Sequence, residues 1–154
     1  MSERIDVSVG QRRLAIIWLA AGAVLVLLLV AQSIGGKFGS EAGKAWTWLL
    51  PLIIPTLSLI LGAVAYQATR KPTPATVDRF AYRVSLWLSA FYLLLVLGTV
   101  VAPALISYPS GSDMLATMQM SNLWLAPVQG LVGIALGVFF VSREAGAGPS
   151  TASA

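Results

Sequence analysis

Four stretches of this chain are too long and too apolar to be elements of a water-soluble core. They fall at about 14–33, 46–68, 84–106 and 123–141, and no Asp, Glu, Lys or Arg interrupts any of them. About 20 helical residues, rising 1.5 Å each, cross a hydrocarbon layer about 30 Å thick. Spanning strands would be roughly 10 residues long and alternate in polarity, which these runs do not. The expected fold is therefore all-α, an integral membrane bundle of four transmembrane helices joined by short loops. Composition agrees: 57% of the residues are hydrophobic and 10% charged, against about 25% charged in soluble domains.

Charge placement predicts orientation. Arg4, Arg12 and Arg13 precede the first span, Arg70, Lys71, Arg79 and Arg83 lie between the second and third, and Arg143 follows the fourth. Only Lys37 and Lys44 fall on the other side. Basic residues collect on the cytoplasmic side of a membrane, so both termini are expected in the cytoplasm, with the protein in the plasma (inner) membrane. These clusters are short and flank spans, so they read as topology signals rather than as a nucleic-acid surface. Attraction of anionic lipid is a lesser role for them. The first run is longer than the 7–15 residues of a signal-peptide core, so it is expected to stay as an anchor.

Around the spans the chain divides into a cytoplasmic tail at 1–13, a membrane domain at 14–142 and a small, polar, disordered tail at 143–154. In "TRKPTPATVDRFAYR" (69–83), Thr73 can cap a helix whose first turn holds Pro74, so the third helix is expected to start near Pro74. In the loop at 107–122, Met114, Leu115 and Met118 have helical spacing and suggest a short apolar face lying on the membrane. Trp46, Trp48, Trp124 and Tyr108 flank one interface, and Tyr66, Tyr82 and Trp87 the other. Amphipathic rings favour that level, and Trp18 is read in the same way.

The chemistry that the residues exclude is broad. There is no Cys and no His, so disulfides, the common metal sites and His or Cys catalysis are out. The serines lack a neighbouring base, and "GSEAGK" (39–44) follows no strand and lacks phosphate-loop spacing. No enzyme activity, cofactor or metal is expected. The missing intramembrane charges also lower the case for an ion-coupled transporter.

Two patterns remain. The second span, "WTWLLPLIIPTLSLILG" (46–62), carries Pro51 and Pro55. Proline in a helix removes one hydrogen bond and frees a carbonyl, which in a membrane needs a neighbouring donor. Pro103 and Pro127 fall at a similar expected depth, toward the outer leaflet, together with Thr56, Thr99, Asn122 and Gln129. These eight residues form a candidate outer-leaflet polar cleft, or else only cap and kink helix ends. The second pattern is small residues in steps of three and four. Ser58 and Gly62 share a stripe with the prolines, Ser85 and Ser89 lie on another, and Gly130, Gly133 and Gly137 form a third containing the G-x-x-x-G of "GIALG". Such stripes let helices approach closely, within the bundle or between copies.

Three functions stay open. One is a small non-enzymatic membrane subunit or scaffold acting through helix–helix association, in a homo-oligomer or with another membrane protein. The second is an oligomeric pore or membrane-disrupting effector of a defence or toxin type. The third is a carrier of a small solute or lipid that uses the outer-leaflet cleft. The lipid bilayer is a partner in all three.

Overall fold

The computed structural model describes residues 4–69, 76–105 and 111–141. Four long helices account for nearly all of them: α1 (Val7–Ile34), α2 (Ala42–Ala68), α3 (Arg79–Leu105) and α4 (Gly111–Val141). All four contain segments long and apolar enough to cross a membrane. Going round the bundle the order is α1, α2, α4, α3, and the α3–α4 interface is the most extensive. Only about a third of the most apolar window of each span is buried inside the bundle. The rest is an apolar exterior that includes Leu27, Leu94, Leu123 and Ile134. A surface of that kind suits contact with lipid and is costly in water.

The α1–α2 turn follows from its glycines. Gly36 adopts φ 69° and Gly39 φ 54°, values that cost little only without a Cβ. Lys37 N–H donates to Gln32 O and Gly36 N–H to Ser33 O, the paired bonds of a Schellman helix end. Phe38 then tucks into the core, and a 3-10 turn, Gly39–Glu41, leads into α2.

At the other end of α1, the short strands β1 (Arg4–Asp6) and β2 (Thr76–Asp78) pair antiparallel, with Ile5 opposite Val77. This ribbon is the one non-helical element among the described residues, and it corrects an expectation. Helix α3 does not begin near Pro74: the 76–78 segment is extended against the N-terminal strand, and the helix starts at Arg79. Strand pairing gives these backbone groups partners that a helix end would leave open. Thr73, Pro74, Arg70, Lys71, Tyr108, Arg143 and the tail at 143–154 lie outside the described residues.

Two further expectations change. Helix α4 is continuous from Gly111, and Met114, Leu115 and Met118 are buried in the bundle instead of lying on a membrane surface. Nothing between 111 and 122 breaks a helix, so their apolar stripe simply extends that of the span. Trp18 and Trp48 are not interfacial anchors either. Trp18 is fully buried and stacks on Tyr92 with ring centroids 5.9 Å apart. Trp48 is buried and donates its Nε1–H to Ser121 Oγ at 3.2 Å.

Candidate functional site

Pro55 occupies the midpoint of α2. It has no N–H, so the carbonyl of Pro51, one turn earlier, loses its helical donor. The Gln129 amide of α4 donates to that oxygen, Nε2 to Pro51 O, at 2.9 Å. The next carbonyl along α2 is also engaged from another helix, since Tyr92 Oη–H donates to Leu52 O at 3.0 Å. The proline-broken turn is thus bound by donors from α3 and α4 at once. Trp18 of α1 stacks on Tyr92, so all four helices meet at this level.

The same device recurs along the bundle. Gln32 of α1 donates to Val100 O of α3 at 3.0 Å, three residues before Pro103. Gln11 of α1 donates to Phe139 O of α4 at 3.4 Å, and Ser85 of α3 to Ala135 O of α4 at 3.3 Å. Each bond ties a side chain to the backbone of a different helix. Interhelical hydrogen bonds of this type contribute on average about 0.6 kcal/mol in membrane bundles. The hydrophobic effect adds little between helices there, because lipid is as apolar as the core, so van der Waals packing and these bonds hold the helices together. Gln11 and Gln32 were not singled out from the sequence. The signal was present: Gln11, Leu14, Trp18, Leu25, Leu29 and Gln32 follow steps of three, four and seven, and all are buried.

Beside the Gln129 contact, α2 and α4 part to form a groove of about 360 Å³. Pro55, Thr56 and Leu59 line one wall, and Ala126, Gln129, Gly130, Gly133 and Leu136 line the other. No lining residue is titratable, so the groove offers no acid, base or charged ligand. The eight residues of the expected polar cleft separate. Pro51, Pro55, Thr56 and Gln129 come together, near mid-length of α2 and not at its start. Thr99 donates to Leu95 O of its own helix at 2.9 Å, and Pro103 is on the same helix. Asn122 and Pro127 are exposed on α4 outside the groove lining.

The small-residue stripes also separate. Ser85 and Ser89 are buried, whereas Ser58 and Gly62 are exposed on α2. A Cβ built on Gly62, Gly130, Gly133 or Gly137 would meet no atom within 4 Å. The glycines that bring helices together are two others. On Gly10 a Cβ would lie 3.1 Å from the Tyr82 ring and 3.3 Å from the Phe139 ring, and on Gly22 it would lie 3.2 Å from Leu57 Cδ1.

Four apolar helices, interhelical polar bonds and an outward-facing groove define a multi-pass membrane protein in contact with a lipid bilayer. Comparison with protein-family models, with curated proteins and with solved structures gave no match to this chain.

Proposed function

We propose that this protein is a non-enzymatic membrane subunit that self-associates through its α2–α4 face, with both termini on the cytoplasmic side of the plasma membrane. One observation carries the reading: Gly62, Gly130, Gly133 and Gly137 have open space above them. Mid-helix glycine costs about 0.5–1 kcal/mol relative to alanine, and no contact inside the bundle offsets that cost. A helix of a second copy, seated against Gly130, Gly133 and Gly137, would use them as small residues are used between membrane helices. The orientation rests on the basic residues, eight of which fall on one side of the spans.

The pore reading draws less support. Ser85 and Ser89, polar residues that a channel assembled from several copies would need on its lumen, are buried in the bundle interior with Tyr92 and Val96. They could face a lumen only if the bundle opened. The groove alone would also suit a lipid chain, which makes lipid the competing occupant.

Mass determination of the full chain in nanodiscs separates these possibilities. The subunit reading expects a discrete oligomer, and Gly133→Leu or Gly137→Leu should shift it toward monomer without lowering the unfolding temperature. A wild-type protein that is strictly monomeric, or leucine variants that associate as before, would remove the basis for this interface.

A further inference from the structure

We propose that the end of the bundle bearing Arg12, Arg13 and Arg83 binds the phosphodiester headgroup of an anionic glycerophospholipid. This depends on the membrane setting alone and not on self-association.

The three arginines leave two neighbouring helices at one level. Gly10 of α1 lies against the ring of Tyr82 of α3, and that ring is 5.8 Å from Phe139, whose carbonyl accepts from Gln11. Arg12 and Arg13 follow that contact directly on α1, and Arg83 follows it on α3. All three are exposed. Among the described residues an ion pair, Glu41–Lys44, forms at the opposite end, and none is found for Arg12, Arg13 or Arg83. An Arg fork matches phosphate geometry with two parallel bonds.

Arg83 is also flanked in a way that sets its depth. Phe80, Arg83 and Trp87 follow steps of three and four and so share one stripe of α3. Phe80 is 72% exposed and Trp87 74%. Tryptophan on a lipid-facing helix favours the headgroup level, which places the neighbouring guanidinium among phosphates. The opposite end lacks this arrangement. Its described cations are Lys37 and Lys44, and Lys44 is already paired with Glu41. The predicted partner is therefore a lipid surface of negative charge, bound at one end of the molecule only.

The test uses the full chain, delipidated in a neutral detergent and titrated separately with phosphatidylglycerol and with phosphatidylcholine of the same acyl chains. Bound lipid is counted by native mass spectrometry, and glycerol 3-phosphate serves as a chain-free competitor. A basic residue near an anionic surface contributes about 1 kcal/mol, or roughly fivefold in affinity. Phosphatidylglycerol should therefore bind at least about fivefold more tightly, and the preference should shrink as salt rises. Arg83→Gln should weaken it about fivefold, and the triple variant Arg12→Gln/Arg13→Gln/Arg83→Gln should abolish the preference. Lys37→Gln/Lys44→Gln should leave it intact. Circular dichroism and the unfolding temperature identify any variant that fails to fold, and the single variant Arg83→Gln then carries the test. Equal binding of the two lipids, an unchanged preference in folded Arg83→Gln, or displacement by glycerol 3-phosphate would each overturn the assignment.

Discussion

Helix α2 has two edges, and they use glycine in opposite ways. On the α1 edge Gly22 is pressed against Leu57, with room for no more than a reluctant methyl group. On the α4 edge Gly130 and Gly133 line a groove, and a Cβ on either, as on the exposed Gly62 of α2, would meet nothing within 4 Å. The first arrangement explains its glycine from within the chain. The second does not, and an unexplained glycine in a membrane helix points outward. A small residue in a span therefore reports close approach only when the partner is identified, and for Gly62, Gly130 and Gly133 none is found within the described bundle.

The largest effect expected from this contrast is in stability. Gly10→Leu must displace two aromatic rings, Tyr82 and Phe139, and overpacking of that kind costs typically about 1–3 kcal/mol. Thermal unfolding in a neutral detergent should show a clear loss for Gly10→Leu, a smaller one for Gly22→Leu, and none for Gly133→Leu. If Gly133→Leu destabilised the detergent-solubilised monomer as much as Gly10→Leu does, the two sets would be equivalent and the contrast would collapse.

The broad architecture was legible because it depends on counting. Length and the absence of charge specify a spanning helix without reference to any neighbour. The site was legible only in parts, because it depends on which helices are adjacent. Pro51, Pro55 and Gln129 could be marked as polar or broken positions, but their pairing joins residues 78 positions apart. Trp18 and Trp48 were assigned to interfaces because indole is amphipathic. Inside the bundle the Trp48 N–H finds Ser121 as acceptor, whereas Trp18 gains ring stacking on Tyr92 with its N–H left without a partner. The β1–β2 ribbon was invisible for a related reason: neither three-residue segment has a pattern, and each is extended because of the other. Gly10 and Gly22 carried no motif at all, whereas the G-x-x-x-G of residues 133–137 did, and the structure uses the unmarked pair for intrachain contact.

A second comparison lies within α2 itself, between its proline-broken turn and the regular turns around it. Gln129→Leu should cost about 0.6 kcal/mol, the average for interhelical bonds in a membrane bundle, and no more than their maximum of about 1.7 kcal/mol, because Pro51 O then has no donor. Tyr92→Phe removes the bond to Leu52 O and should cost a similar amount. The sharper experiment places Gln129→Leu in a Pro55→Ala background. Alanine restores the N–H that Pro51 O lacks, so the glutamine should matter less there, and unfolding midpoints around this double-mutant cycle would show a coupling. Strict additivity would mean that Gln129 stabilises the bundle through packing and not through the freed carbonyl.

The smallest expected effect separates two serines one turn apart on α3. Ser85 donates to Ala135 O at 3.3 Å, whereas the hydroxyl of Ser89, fully buried, has no hydrogen-bond partner. A net intramolecular hydrogen bond contributes about 0.5–1.5 kcal/mol, while a buried group without a partner carries a desolvation cost of about 1–3 kcal/mol. Ser85→Ala should thus be mildly destabilising and Ser89→Ala neutral or slightly stabilising in the same unfolding assay. The sign of the difference matters more than its size. If Ser89→Ala proved the more harmful of the two, its hydroxyl would be bonded in the membrane-embedded protein, and the turn between Ser85 and Tyr92 would belong with the interhelical bonds at the proline level instead of being a gap between two of them.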